Sequence, residues 1–231
     1  MADARLTALV TGATRGIGKA IVLELVGRGA AVYATGRDER LLAQLMAQTG
    51  CAGGAFDLAD AAEVLRLYAA AKEALGRAPE VLVNNAGINP RKSPIADASI
   101  EDLEAQYAVN LRAPFILCRE AMKDMREARR GHIVNIVSST ALFANETMGI
   151  YTATKSGLRG LTGVLIKEAR QYGVKVTGVY PGGVDTEFRK VPRHDYMKPQ
   201  SAAKLIADAI YAPDDAIVHE LVFRPMVESN F

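Results

Sequence analysis

Leu6-Thr-Ala-Leu-Val10, then Thr11-Gly-Ala-Thr-Arg-Gly-Ile-Gly18 and the amphipathic run on to Arg28, read as a buried strand, a glycine-rich turn and a helix. Glycine lets the chain turn sharply and brings backbone close to a ligand. The helix start adds unpaired N–H groups and the positive end of its dipole. That combination suits the pyrophosphate of a nucleotide. The alternative is a tight turn with no ligand, because Gly12, Gly16 and Gly18 depart by one residue from the common G-x-G-x-x-G spacing.

On either side of this unit, short apolar runs alternate with longer segments of helical period almost to the C-terminus. Strands are expected at residues 6–10, 31–35, 52–56, 81–84, 132–138, 174–180 and 218–223. Helices are expected at 16–28, 38–50, 60–75, 100–126, 150–171 and 201–211. Such alternation builds a parallel sheet with helices on both faces. The expected fold is α/β, a single Rossmann-type domain over residues 1–231 with a seven-stranded, mostly parallel, doubly wound sheet flanked by about six helices. No linker, repeat or low-complexity segment divides it. Residues 186–200 form the longest irregular stretch near the later strands, and loops of that length often carry function.

Composition excludes several classes. The 231 residues are 49% hydrophobic and 23% charged, ample for a full core without disulfide staples. Lys plus Arg number 28 against 26 Asp plus Glu, which leaves +2 and argues against a broad nucleic-acid-binding face. Arg126-Glu-Ala-Arg-Arg130 is read as a solvated helix end. Cys51 and Cys118 lie far apart, and His132, His194 and His219 show no ligand spacing, so no metal is expected. No apolar run reaches membrane-spanning length and no signal-peptide pattern is present; the expectation is a cytoplasmic protein without membrane partners.

The second strand narrows the nucleotide. A fold that prefers NAD places an acid near the end of that strand to meet the ribose hydroxyls. Here it reads Ala34-Thr-Gly-Arg37, and Asp38 is better used as a helix N-cap. Arg15 and Arg37 make a cationic clamp suited to an extra phosphate, which points to NADP(H). The alternative is a pair of solvated surface charges.

Tyr151-Thr-Ala-Thr-Lys155 sets a phenol and an ammonium at i and i+4, on one helix face. A phenol with its ordinary pKa of about 10 is a poor proton donor and acceptor at neutral pH, and a neighbouring cation favours the phenolate. Ser138 and Ser139 stand where the preceding strand ends, the place where open α/β sheets bind ligands. Alternation does not choose between them. Pro114 lacks the N–H that Asn110's carbonyl would otherwise accept, so a kink there frees that oxygen.

Taken together these residues resemble the short-chain dehydrogenase/reductase family, in particular its NADP-dependent 3-oxoacyl carrier-protein reductases and carbonyl reductases. Thr11–Gly18 is similar to its Thr-Gly-x-x-x-Gly-x-Gly, Asn84-Asn-Ala-Gly87 to its Asn-Asn-Ala-Gly, and Asn110, Ser138, Tyr151 and Lys155 to its catalytic tetrad. The resemblance implies a cofactor site formed by Gly12, Thr14, Arg15, Gly16, Ile17, Gly18, Arg37, Asp57, Leu58, Asn84, Ala86 and Gly87. Tyr151 and Lys155 share it, as do Pro181, Gly182, Val184 and Thr186. Asp57 is implied to meet the adenine, with the Val184 backbone and the Thr186 hydroxyl holding the carboxamide.

It further implies reversible reduction of a ketone or 3-oxoacyl carbonyl to an alcohol. Tyr151 gives the proton, Ser138 steadies the oxygen, Lys155 lowers the phenol's pKa and meets the ribose, and Asn110 holds a relay water. The small-molecule carbonyl or alcohol is the expected partner, and a homodimer or homotetramer the expected assembly. Thr177 departs from the asparagine many members carry. Residues 186–200 are short for a substrate cover, which implies an open pocket. Arg91 and Lys92 are either solvated charges or an attraction for an acidic carrier or coenzyme thioester. The competing readings are a catalytically silent NADP(H)-binding regulator and an NAD-linked alcohol dehydrogenase.

Overall fold

β-Branched and aliphatic residues alternate their side chains to opposite faces of a strand, and here both faces are buried, as a parallel sheet covered on two sides requires. In the computed structural model, which describes residues 5–189 and 191–228, the strands are β1 (Thr7–Val10), β2 (Ala31–Thr35), β3 (Ala52–Gly54), β4 (Val81–Asn84), β5 (Gly131–Ile136), β6 (Val174–Pro181) and β7 (Glu220–Phe223). Their order is β3-β2-β1-β4-β5-β6-β7, and every pairing is parallel. This is the doubly wound order with its switch between β1 and β4. The sheet is therefore wholly parallel, where mostly parallel was expected.

The helices are α1 (Gly16–Gly27), α2 (Glu39–Thr49), α3 (Ala61–Leu75), α4 (Ile100–Tyr107), α5 (Ala113–Ala128), α6 (Gly149–Arg170) and α7 (Pro199–Ile210). Ala8 and Val10 face the core shared with α1, α2 and α7, while Leu9, Leu82 and Ile133 face the core under α3, α5 and α6. A small third cluster joins Val137, Leu158 and Tyr180.

Local chemistry explains the helix starts. Asp38 accepts from Leu41 N at 3.0 Å, Asp60 from Ala62 N at 2.7 Å, and Ser99 from Asp102 N at 3.1 Å, closing the first turns of α2, α3 and α4. Asp38 is thus the cap its position predicted.

The helix expected over residues 100–126 is one rod in three parts, α4 and α5 joined by a π-helical turn at Ala108–Arg112. Ala113 N reaches back five residues to Ala108 O, and Pro114 follows at the start of α5 with no N–H to give. The widened turn places Asn110 in the wall of the site. Strand ends also differ: β3 stops at Gly54, β5 at Ile136, and β7 begins at Glu220. At β3 the two glycines offer no side chains to extend the pairing.

Candidate active site

The carboxyl ends of β1, β4, β5 and β6 meet in one place. After β1, Gly12 and Gly16 take φ of +63° and +53°, a left-handed conformation natural to glycine. A side chain at Gly18 would collide with Gly12 O and the Asn85 amide. The turn is pinned from both sides. Ala13 N donates to Thr35 O at 2.8 Å. Thr11 Oγ1 accepts from Asn85 N and Ala86 N, both at 3.0 Å, while Asn85 Nδ2 donates to Thr11 O at 2.9 Å and Gly12 O at 3.1 Å. In contrast to α2, α3 and α4, α1 begins at Arg15 with no side-chain cap and no acid in its first turn. Its leading N–H groups are left for an anion, the donor set a pyrophosphate requires.

Around this turn, Arg15 lies 3.8 Å from Asp38 and Arg37 is exposed without an ion pair among the described residues. Thr14 and Leu58 are buried, and Gly36 packs directly on the Thr14 side chain. Asp57 accepts from Ala59 N at 3.0 Å on an exposed turn. Thr186 approaches Gly16, its Cγ2 standing 3.2 Å from where a Cβ would be. Val184 pairs with Met197, and Gly183 N donates to Glu228 at 3.0 Å.

Asn84 keeps its side chain inside the sheet, donating to Asn135 at 2.8 Å and to the Cys118 sulfur at 3.3 Å. Asn135 donates in turn to Thr162 at 2.9 Å. Burial pushes the Cys118 thiol up to about 12, so it is an inert part of this scaffold.

Tyr151 stands in the first turn of α6, with Lys155 one turn on, and both are buried. The Lys155 ammonium lies 5.9 Å from the Tyr151 ring centre and donates to Ile136 O, at the end of β5, at 2.7 Å. Asn110 accepts from Ile88 N at 2.8 Å and donates to Ile88 O at 2.9 Å and to Thr154 at 3.2 Å, fastening the loop after β4 to α6. Gly87 lies beside both Lys155 and Asn110.

Of the two candidate serines, it is Ser138 whose hydroxyl is near enough to the phenol to pull its pKa down. Ser138 Oγ also accepts from Thr140 N at 3.2 Å, and Ser139 is buried in the short turn that follows.

Burial pushes the Tyr151 phenol up to about 12, against the opposing pull of Ser138 and of the Arg189 charge. Burial also pushes Lys155 down to about 7. In the nucleotide-free protein desolvation thus sets the phenol's pKa, and the nearby charge that opposes it is Arg189 rather than the expected Lys155. The open pocket is corrected as well. Asp185 N donates to Met197 O at 2.8 Å and Met197 N to Gly183 O at 3.3 Å, folding the loop back on itself. Phe188 then packs on Tyr151 with ring centres 5.8 Å apart.

A seven-stranded parallel sheet carrying a glycine turn and a Ser-Tyr-Lys cluster at its carboxyl edge agrees with the family comparison: the short chain dehydrogenase model matches residues 6–196. The chain belongs to the short-chain dehydrogenase/reductase family.

It is 37% identical over 225 residues to D-threitol dehydrogenase of Mycolicibacterium smegmatis, covering 94% of this chain and 84% of that one. A metagenomic short-chain oxidoreductase in complex with NADP superposes with a TM-score of 0.86 at 32% identity, over 96% of this chain and 98% of that one. The closed form of serine dehydrogenase complexed with NADP+ reaches 0.91 at 27% identity, over 97% and 96%. The chain is an oxidoreductase of this family.

Sequence reasoning missed several parts of this short-chain dehydrogenase/reductase site. Asn85, rather than its neighbour Asn84, fastens the glycine turn; the doubled asparagine was the available signal. Thr154 supports Asn110, and its place one residue before Lys155 gave no hint of that. Phe188 and Arg189 reach Tyr151 through a loop whose path no local pattern dictates. Among the described residues no group of His, Cys, Asp or Glu side chains could hold a metal, and no helix is long and apolar enough to cross a membrane.

Proposed function

We propose that this chain interconverts a carbonyl compound and its alcohol with NADP(H). The observation that carries the reading is the buried Tyr151 phenol, with Ser138 near it and Lys155 one turn on, beside the uncapped start of α1. When bound, NADP(H) supplies or accepts the hydride. Tyr151 gives its proton to the carbonyl oxygen in reduction and takes one from the hydroxyl in oxidation, while Ser138 holds that oxygen. Lys155, turned toward the end of β5, is placed to meet a ribose hydroxyl and to favour the phenolate when it carries charge. Asn110 holds the loop after β4 against α6, and its carbonyl, unserved by Pro114, is suited to a relay water.

NADP(H) over NAD(H) is supported by the missing acid after β2, by Arg15 and Arg37, and by the NADP bound to two similar structures. In this reading the protein works in the cytoplasm as a homodimer or homotetramer, supported by the exposed Leu103, Tyr107, Phe115 and Val164 on α4, α5 and α6. The deciding experiment is Tyr151→Phe, assayed with NADPH and a panel of ketones and 3-oxoesters. Turnover should fall at least a hundredfold, the scale of general acid catalysis, with NADPH affinity kept; unimpaired turnover defeats the mechanism.

A further inference from the structure

A narrow crevice is lined by Asn89, Arg91, Ser93, Thr147, Ile150 and Tyr151. Among the described residues no carboxylate lines it. Arg91 comes from the loop after β4, and its Nη2 reaches only a backbone acceptor, Asp97 O at 3.4 Å. The second cation comes from a different loop. Phe188 seats the loop after β6 on Tyr151, and Arg189, the next residue, is half-buried with its guanidinium 4.8 Å from the Tyr196 ring centre.

Two carboxylates of that loop, Asp195 and Asp185, are committed elsewhere. Asp195 grips Arg193 with two bonds of 2.8 and 2.7 Å. Asp185 accepts from Arg193 N at 3.0 Å and meets His194 at 2.9 Å, and Glu187 is turned toward Gly16. Among the described residues neither Arg91 nor Arg189 has an ion-pair partner. Tyr196 lies between Arg189 and Arg193, so the ring fixes the Arg189 plane while Asp195 neutralises only Arg193.

We propose that Arg91 and Arg189 are specificity residues for an anionic substrate, a small hydroxy or oxo compound whose carboxylate or phosphate is held at the crevice while its carbinol or carbonyl carbon sits at Tyr151. The proposal rests on the oxidoreductase reading of the same site. Two unpaired guanidiniums flanking a site with no acid in its wall favour a negative group and leave a neutral analogue without partners. Their field at the phenol has the same sign as the pull Arg189 already exerts on Tyr151.

The test compares 3-hydroxybutanoate, its methyl ester and 3-hydroxybutyl phosphate as substrates with NADP+, in the native protein and in Arg91→Met, Arg189→Met and Arg189→Lys. The expected result is a kcat/KM for an anionic probe above that for the ester. Either Met substitution should lower this ratio roughly tenfold to a hundredfold, the effect of losing a charge-assisted hydrogen bond. Arg189→Lys should restore part of it, and whichever of carboxylate or phosphate leads identifies the anion. Equal kcat/KM for acid and ester, or a ratio that survives both Met substitutions, overturns the proposal. Because turnover could fail for reasons belonging to Tyr151, calorimetric binding of the same probes to the protein, with and without NADP+, reads the anion site directly. Anion binding weakened by Arg189→Met without turnover would keep this proposal and defeat the catalytic one; no difference between acid and ester in binding would overturn it.

Discussion

Replacing Lys155 by Met should make the nucleotide-free protein more stable while destroying the chemistry proposed for it. Lys155 is 2% exposed and held by one backbone acceptor, Ile136 O, and burial lowers its pKa from 10.5 to about 7. At about 1.4 kcal/mol per pKa unit, the buried amine destabilises the fold by on the order of 5 kcal/mol at pH 7. Its hydrogen bond offsets roughly 1.5–3 kcal/mol of that. Methionine fills similar space without charge, so the net gain is about 2–3 kcal/mol.

For a chain of this length that raises the melting temperature by roughly 5–10 °C. The sign with pH follows from proton binding. The unfolded chain keeps the lysine proton up to about 10.5 and the folded chain only to about 7, so native stability rises with pH across that window. By pH 9 the burden falls to about 2 kcal/mol and the variant's advantage disappears. Thermal melts followed by circular dichroism at pH 7 and pH 9 read both effects. A Met variant that melts below the native protein at pH 7, or whose advantage persists at pH 9, refutes the reasoning.

Gly18→Ala forces a methyl against Gly12 O and the Asn85 amide, so a loss of about 1–3 kcal/mol in urea unfolding is expected, together with weakened NADPH binding in a fluorescence titration. Arg37→Ala should reduce the NADPH-over-NADH preference roughly tenfold to a hundredfold, and an unchanged ratio of dissociation constants speaks against the clamp. His132 is buried, bonded to Thr177 at 2.7 Å, and burial lowers its pKa from 6.5 to about 4. Its contribution is whole above pH 6.5 and lost as pH falls through 4, about 3 kcal/mol in all; urea midpoints should therefore fall more steeply in acid for the native protein than for His132→Gln.

The element order was legible because each βα unit declares itself locally: an apolar run, a turn, then a capped amphipathic stretch. Asp38 could be recognised as a cap from its place before Leu41, Leu42 and Leu45. Pro114 likewise announced a disturbed helix around Asn110. Its form, a π turn placed before the proline, depends on how α4 and α5 pack and could not be read from composition. Asn84 and Asn85 are indistinguishable in sequence. At the end of β4, one side chain enters the sheet toward Asn135 and the next turns out toward Gly12, and only the point where the strand ends decides which. The cover over Tyr151 was least legible, because Phe188 reaches it through a pairing between Val184 and Met197 that no neighbouring residue predicts. The rise in the Tyr151 pKa was misjudged for a related reason: sequence shows the cation at i+4 but not the depth of burial around both groups.

Several unfavourable features of this molecule meet at one edge of the sheet. There α1 starts without a cap, two glycines take left-handed conformations, and a phenol and an amine are held away from water. Elsewhere Asp38, Asp60 and Ser99 close their helices, and two apolar cores fill both faces of the sheet. An anion at the start of α1 would occupy the free N–H groups, and a hydroxyl near Lys155 would give its buried ammonium a second acceptor. Both relieve a cost the protein alone bears, so nucleotide binding and site assembly are coupled by linkage. The loop carrying Phe188 and Arg189 joins that coupling, because Thr186, two residues earlier, already rests against Gly16. A ligand that moves the glycine turn therefore acts on the cover over Tyr151 through three residues of chain, and in the proposed mechanism cofactor binding and substrate selection would become one event at a single edge.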